Sequence, residues 1–263
     1  MTFRPVVPFG GITGWQFLQR TQTHQQEALA ASPQIKRETQ HFLKEIANVS
    51  SARELVADRT LLKVALGAFG LESDLNNRFF VQKILEDGTS AQDALANRLA
   101  DKRYRAFSDA FGFGPSAFPK TALTTFMEDV VNKYQTQAFE TAIGESDETM
   151  RIALYAQHEL AEIAAGGGSE TTMWLNIIGL PPLRTMFETA LGLPRSFASV
   201  DLDKQVEVFR DRFTSATGLS DLAELSDPEA MEKTTHLYLA RAQIASFAGQ
   251  QSSAAIALSL LQA

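Results

Sequence analysis

Few residues of this chain could do chemistry, and the first to examine are in the run His158-Glu159-Leu160-Ala161-Glu162. Zinc proteases place two histidines four residues apart on one helix face, because two imidazoles then reach the same metal ion. Here the second position is Glu162, so the pattern is incomplete. The remaining histidines lack ligand spacing; they are His24, His41 and His236. We therefore expect an ordinary solvated helix face, with no metal and no cofactor.

Motifs for nucleotide binding and hydrolysis are incomplete as well. The glycine run at 166–168 precedes a helix start, but no GxxxxGK[ST] pattern accompanies it. The run 114–118 lacks the final glycine of a nucleophile elbow. The chain has no cysteine, which excludes disulfides, thiolate nucleophiles and iron–sulfur clusters. The sequence thus predicts no catalytic residues. An enzyme would need a histidine–carboxylate pair in a buried cleft with perturbed pKa values.

The balance of charges argues against a nucleic-acid partner. The 263 residues carry 24 Lys and Arg against 31 Asp and Glu, a formal net charge of −7, whereas nucleic-acid affinity comes mainly from basic side chains at phosphates. Arg98, Lys102 and Arg105 have the spacing of one helix face and form a candidate basic patch for a phosphate or an acidic partner. Asp101 and Asp109 lie near them, so we favour a mixed-charge surface.

Apolar residues near the two ends of the chain are candidates for docking. The N-terminal region has too few apolar neighbours to bury its aromatic side chains locally, and such aromatics often dock onto another surface, either of the same protein or of a partner. Both alternatives stay open. The C-terminal tail adds an apolar, helix-compatible segment. The candidate docking residues are Phe3, Phe9, Trp15, Phe17, Leu258, Leu260 and Leu261.

Composition predicts an all-α fold, a multi-helix bundle in which these residues must be positioned. Ala and Leu far outnumber Val and Ile, and no strictly alternating apolar run occurs. No apolar stretch is long enough to span a membrane, and no Sec signal peptide is evident. We expect an extended or mobile arm at 1–31, one helical half at 32–111, a second at 119–247 and an apolar tail at 248–263.

Local signals indicate where several helices begin and end. Ser32-Pro33, Pro181-Pro182 and the run 226–229 (Ser-Asp-Pro-Glu) combine N-cap residues or early prolines. The run 51–54 (Ser-Ala-Arg-Glu) matches a capping box. Residues 61–71 are apolar on nearly every side, which predicts a buried helix closed by Gly70.

The second half of the chain echoes the first. Residues 68–71 (Ala-Phe-Gly-Leu) precede Asp74-Leu75 and a Phe-rich helix, and residues 190–193 (Ala-Leu-Gly-Leu) precede Asp201-Leu202 and another. A duplicated helical unit would produce this pattern, and so would the small number of residue types that commonly end helices.

The run 57–71 (Ala-Asp-Arg-Thr-Leu-Leu-Lys-Val-Ala-Leu-Gly-Ala-Phe-Gly-Leu) resembles the signature of an alphaproteobacterial family of unknown function, whose genes commonly lie among flagellar basal-body and motor genes. Residues 9–15, 99–104 and 181–184 resemble the same family, and the similarity extends from about residue 9 to 247. The resemblance implies a flagellum-associated role through gene context and supplies no catalytic residues.

The tail carries a second resemblance. Gln250-Gln251 followed by residues 257–262 is similar to the extreme C-terminus of flagellins, in which N- and C-terminal helices pair as a coiled coil. The N-terminal stretch with Trp15, Leu18 and Leu29 makes a poor heptad partner, which argues against a filament-type role.

We therefore expect a non-enzymatic, flagellum-associated structural or assembly protein that acts through protein–protein contacts, with flagellar proteins as partners by resemblance. It would be cytoplasmic or exported to the flagellum by a Sec-independent route. The alternative is a helical small-ligand binding module with a pocket between the two halves, near Trp174, Phe187 and Phe209.

Overall fold

The structure, a computed structural model, describes the backbone of residues 3–115 and 118–261, and the side chains of these residues except Arg195 and 248–261. All regular elements in these ranges are helices, so the predicted all-α class is confirmed. None of the helices found there has both the length and the apolar character needed to cross a lipid bilayer.

The chain divides into two compact units. Unit 1 comprises residues 1–6 and 21–142, and unit 2 comprises residues 7–20 and 143–263. The sequence predicted a boundary at the loop 112–118, where helix breakers cluster. The division between the two units falls inside a continuous helix, two residues before the glycine that ends it.

Unit 1 is built from short helices. They are α1 (Gly11–Ala30, from residue 21), α2 (Pro33–Glu45), α3 (Ala52–Ala57), α4 (Arg59–Gly67), α5 (Arg78–Asp87), α6 (Leu95–Arg98), α7 (Arg103–Phe111) and α8 (Thr124–Gly144, to residue 142). The predicted start at Ser32-Pro33 is confirmed. Helix α4 is buried on several sides, as its continuous apolar sequence predicts, and it packs against α2 and α3.

Two polar networks tie these helices together. Glu38 on α2 accepts hydrogen bonds from Lys63 on α4 and from the hydroxyl of Tyr134 on α8. Burial, and then the hydrogen bond to Glu38, raise the pKa of Tyr134 far above its ordinary value. Tyr104 on α7 similarly donates to Asp74, 2.6 Å away. The phenols therefore stay protonated and hold the buried carboxylates.

Helix α5 is the Phe-rich helix that follows Asp74-Leu75 in the sequence. Asp74 lies in a 3-10 turn, Glu72–Asn76, and α5 begins at Arg78. With this start, Val81, Ile84 and Leu85 are buried and Phe79 is 83% exposed.

Unit 2 contains longer helices. They are the first part of α1 (to residue 20), α9 (Glu148–Ala165), α10 (Glu170–Ile178), α11 (Pro181–Ala190), α12 (Leu202–Thr217) and α13 (Pro228–Leu261). The predicted starts at Pro181 and Pro228 are confirmed. A 3-10 turn, Leu222–Ser226, leads into α13 and packs against α9.

The core of unit 2 is an aromatic cluster centred on Trp174. Its ring stacks on Phe209, with centroids 5.6 Å apart, and meets Phe187 and Phe213 edge to face at 5.3 and 5.6 Å. Trp174, Phe187 and Phe209 are almost completely buried. The sequence predicted a ligand pocket near these three residues. The rings pack directly against one another, and the pocket near them stays a prediction.

Helices α4 and α11 end in the same way. Gly70 and Gly192 both have a φ of +65°. The backbone amide of Leu71 donates to the backbone carbonyl of Leu66 at 2.9 Å. The backbone amide of Leu193 donates to the backbone carbonyl of Glu188 at 2.8 Å. Glycine adopts this left-handed conformation without the strain of a Cβ atom. The sequence echo thus corresponds to a repeated helix stop.

The N-terminal region is more ordered than an extended arm. Helix α1 begins at Gly11, so the predicted arm at 1–31 ends near Gly10. In unit 1, the side-chain amide of Gln25 donates to the carbonyl of Val6 at 3.2 Å and accepts from its amide at 2.7 Å. This pairing holds the first residues against their own helix.

Candidate docking surface on the C-terminal helix

A glycine-rich turn brings the start of α1 against α13 within unit 2. Gly11 has a φ of +64°, and a Cβ atom there would lie 2.6 Å from Oε1 of Gln243. A Cβ atom on Gly14 would lie 1.7 Å from the carbonyl oxygen of Phe9. Only glycine fits such close approaches. The opening motif therefore has a structural role, which is to fold the chain tightly beside α13.

Large apolar side chains are exposed at this place. Phe9 is 59% exposed, and Ile244 and Phe247, which follow Gln243 on α13, are 63% and 56% exposed. One turn earlier, Tyr238 and Leu239 are buried in unit 2. Helix α13 thus leaves the core after about residue 240. We call Phe9, Ile244 and Phe247 the terminal surface.

The same part of α13 carries no charge. Arg241 is followed by no Asp, Glu, Lys or Arg up to residue 263. A solvent-facing helix normally carries charged residues on its outer face, so an uncharged end with exposed Ile and Phe is typical of a docking segment.

The predicted docking residues differ in how exposed they are. Trp15 is only 3% exposed and Phe3 and Phe17 are half-buried, so these three pack on their own chain, whereas Phe9 remains exposed. Leu258, Leu260 and Leu261 belong to α13, but their side chains lie outside the described residues.

Ile244 and Phe247 were not among the predicted residues. A signal for them was present in the sequence, because residues 237, 240, 244 and 247 (Leu, Ala, Ile, Phe) follow a spacing of three and four and the charges end at Arg241.

The predicted basic patch does not form one helix face. Helix α6 ends at Arg98, Leu99 is extended, and α7 starts only at Arg103, after Lys102. Arg98, Lys102 and Arg105 therefore do not lie on one continuous helix. The exposed Arg105 lies 3.8 Å from Asp109, which is an ordinary mixed-charge surface pair.

The histidine side chains are the remaining candidates for metal binding or catalysis. In the described part of the chain, no three His, Asp or Glu side chains gather as a metal site requires. His158 Nδ1 lies 3.8 Å from Glu159 Oε1, and its ring packs edge to face on Tyr155.

A close histidine–carboxylate pair lies in unit 1. His41 Nε2 lies 2.7 Å from Asp58 Oδ2, and both side chains are more than one-third exposed. Asp58 also accepts the amides of Thr60 and Leu61 at the start of α4. Partial burial raises the pKa of Asp58, but these amides and His41 outweigh that effect, so the pKa is lowered. The pair therefore serves as a helix cap on the surface and does not line a buried cleft.

Unit 2 also contains an open cleft of about 440 Å³. Trp15 and Met231 contribute apolar surface, Glu232 contributes a carboxylate, and the paired amides of Gln19 and Gln157 lie 3.0 Å apart beside them. This volume falls in the range of small-molecule sites. It is a feature that a ligand-binding role would use.

Comparison with known proteins places the chain in a family without assigning it an activity. Residues 68–231 match the family described as protein of unknown function DUF1217. Because this match covers more than half of the chain, the protein belongs to the DUF1217 family. The terminal surface lies outside the matched residues. No curated protein matches the chain.

A crystal structure of a protein from Agrobacterium tumefaciens, an alphaproteobacterium, has a similar fold. The TM-score is 0.70 at 24% sequence identity, over 89% of this chain and 97% of the other. At this identity the likeness concerns the fold alone. The expected membership of a family of unknown function is confirmed, and the flagellar association stays a prediction.

Proposed function

We propose that this member of the DUF1217 family is a non-enzymatic protein that acts through protein–protein contacts at its terminal surface. The observation that carries the proposal is the exposure of Ile244 and Phe247 on an uncharged helix end that extends past the core of unit 2. Apolar side chains of this size are the usual anchors of an interface, since their burial removes apolar area from water.

The finer proposal is a role in flagellar assembly or structure, with flagellar proteins as partners. It is supported by the resemblance of residues 57–71 and 9–15 to a family whose genes lie among flagellar genes. The protein would act in the cytoplasm or at the flagellum, after Sec-independent export.

The test compares two charge substitutions in motile cells of the source organism. Ile244→Asp with Phe247→Asp places charge on the terminal surface, and Phe79→Asp places one on an even more exposed aromatic of unit 1. We expect the double variant to lose at least about tenfold in capture of its partners, because burying an unpaired carboxylate is unfavourable. Swimming should fall with it, and Phe79→Asp should behave as wild type.

Two results would contradict these proposals. Equal capture by the double variant and the wild type would remove the terminal surface from the mechanism. Normal flagellation and swimming after deletion of the gene would remove the flagellar role.

The cleft beside Trp15 favours a second candidate, a small-ligand binding module. A thermal-shift screen distinguishes the two candidates, since a ligand that binds only the folded state raises Tm by mass action. A compound whose Tm shift disappears in Glu232→Ala would support ligand binding in the cleft. A screen in which no compound raises Tm would support only the docking role.

A further inference from the structure

We propose that the open cleft of unit 2 binds a small molecule that carries a primary ammonium group on an apolar body. The inference rests on the second candidate function, the small-ligand binding module, and names the chemical class of its ligand. The residues that line the cleft all belong to unit 2 and come from α1, α9, the turn Leu222–Ser226 and α13.

The inner surface of the cleft is apolar. Trp15, Leu225 and Met231 line it and are only 3%, 2% and 7% exposed. These side chains are fixed in the core of unit 2, so the surface that they present is formed before a ligand arrives. A hydrocarbon or aromatic body that covers them would be removed from water, which favours binding.

The charge in the cleft is negative. Among the described residues that line it, Glu232 is the only charged one, and none is Lys, Arg or His. His236 Nε2 lies 3.6 Å from Glu232 Oε1, which is too long for a hydrogen bond. The carboxylate would repel a ligand anion, whereas an ammonium group could form a charge-assisted hydrogen bond with it.

The hydroxyl groups in the cleft are acceptors. The hydroxyl of Ser226 donates to the backbone carbonyl of Ala223 at 2.7 Å. The hydroxyl of Thr235 donates to the backbone carbonyl of Met231 at 2.9 Å. Each hydroxyl has a single hydrogen, and that hydrogen is already used, so the two oxygens can only accept from a ligand.

The paired glutamines add one more acceptor. The side-chain amide of Gln19 donates to the side-chain carbonyl of Gln157 at 3.0 Å, so the carbonyl oxygen of Gln19 can still accept. The cleft therefore offers acceptors from one carboxylate, two hydroxyls and one amide. A primary ammonium group matches this set because it has three N–H donors, whereas a quaternary ammonium group has none.

The test titrates the full chain, isotope-labelled for NMR, with four probes of similar size: phenethylamine, phenethyl alcohol, phenylpropionate and phenethyltrimethylammonium. The chain has two indole N–H signals. That of Trp15 reports on the cleft, and that of Trp174, which is stacked on Phe209 in the core, serves as the internal control.

Phenethylamine should shift the Trp15 signal to saturation and leave the Trp174 signal in place. With about nine non-hydrogen atoms, it should bind with a Kd on the order of 1 mM. The alcohol and the carboxylate should bind at least about tenfold more weakly, because neither pairs with the charge of Glu232. The quaternary ammonium should also bind more weakly than phenethylamine, since it keeps the charge but has no N–H.

Two matched variants test the role of the carboxylate. Glu232→Gln keeps the shape of the side chain and removes its charge, and it should weaken phenethylamine binding about tenfold. Glu207→Gln removes an exposed carboxylate of α12 that pairs with Lys204 at 2.7 Å outside the cleft, and it should bind as wild type. An unchanged Trp174 signal shows that each variant is folded.

The possible failures are distinguishable. Equal binding of the amine and the alcohol, tighter binding of the carboxylate, or equal binding by Glu232→Gln and wild type would overturn the ammonium assignment and leave the cleft as a small-molecule site. If none of the four probes shifts the Trp15 signal up to about 20 mM, the ligand-binding role fails as well, and the docking role of the terminal surface stands.

Discussion

The two units repeat one arrangement of helices but end it differently. In unit 1, α4 packs against α2 and α3, and α5 packs against α3. In unit 2, α11 packs against α9 and α10, and α12 packs against α10. The order of elements therefore corresponds from α2 to α5 and from α9 to α12, with the same glycine stop after α4 and α11.

The units differ in the helices that follow α5 and α12. Helix α7 has 9 residues and stops at Gly112, whose φ of +70° turns the chain away. Helix α13 has 34 residues, and no Gly or Pro occurs between Pro228 and Gly249. Helix α7 thus ends at a glycine, whereas α13 continues past the core of unit 2. The candidate docking surface results from a missing stop signal.

The largest expected effect tests whether the two cores are equivalent. Trp174→Ala in unit 2 and Phe107→Ala in unit 1 each remove a fully buried ring. We expect each to lower the free energy of unfolding by roughly 3–5 kcal/mol, because the cavity cannot be refilled. Urea denaturation followed by circular dichroism measures it. A loss below about 0.5 kcal/mol, typical of surface substitutions, would show that the ring is not part of a packed core.

The next effect compares the two tyrosine–carboxylate hydrogen bonds of unit 1. Tyr134→Phe removes the hydroxyl that donates to Glu38 and should cost about 1–3 kcal/mol, because a partly buried carboxylate loses a donor. Tyr104→Phe, at a less buried site, should cost less.

The pH dependence follows from the raised pKa of Tyr134. Above about pH 10, the tyrosine of the unfolded chain loses its proton while the folded one keeps it. Wild-type stability should therefore fall as pH rises beyond 10. Tyr134→Phe should show a weaker fall, and an unchanged slope would contradict the buried hydrogen bond.

The helix stops give a smaller, paired effect. Gly70→Ala and Gly192→Ala should each cost about 1–2 kcal/mol, because both glycines are left-handed. A Cβ atom at Gly70 would also lie 3.2 Å from Arg103 and Gln137, whereas the space beside Gly192 is open. We expect the larger Tm decrease for Gly70→Ala. The reverse order would contradict the closer packing around Gly70.

The smallest effect separates the starts of α4 and α11. Asp58 caps α4, whereas α11 begins at two prolines without a side-chain cap. Asp58→Ala should cost about 1 kcal/mol at neutral pH. Because the pKa of Asp58 is lowered, this contribution is present above pH 4 and is lost as pH falls. Wild type and variant should therefore converge in acid, as measured by thermal unfolding. A difference that persists at pH 2 would contradict the role of the charge.

Features set by neighbouring residues were predictable from the sequence. Helix starts at Pro33, Pro181 and Pro228 and the stop at Gly70 depend on local capping chemistry, and they occur where predicted. Helix α1 was missed because its sequence is rich in Gln. Its buried residues Trp15, Leu18 and Leu29 nevertheless follow a helical spacing.

Features set by tertiary contacts were not predictable. The boundary at residue 142 lies inside α8, ahead of its terminal Gly144, and no loop marks it. The exposure of Phe79 depends on which side of α5 meets the core. The sequence identified the end of the chain as apolar, but the exposure of Ile244 and Phe247 depends on where α13 leaves unit 2.

The placement of the two tryptophans has a practical consequence. Trp15 and Trp174 both belong to unit 2, and the rest of the chain contains no other. Indole emission on unfolding thus reports one half of the molecule alone, while amide absorption reports both. Recording the two signals in a single titration would reveal whether the repeated halves melt together or in succession.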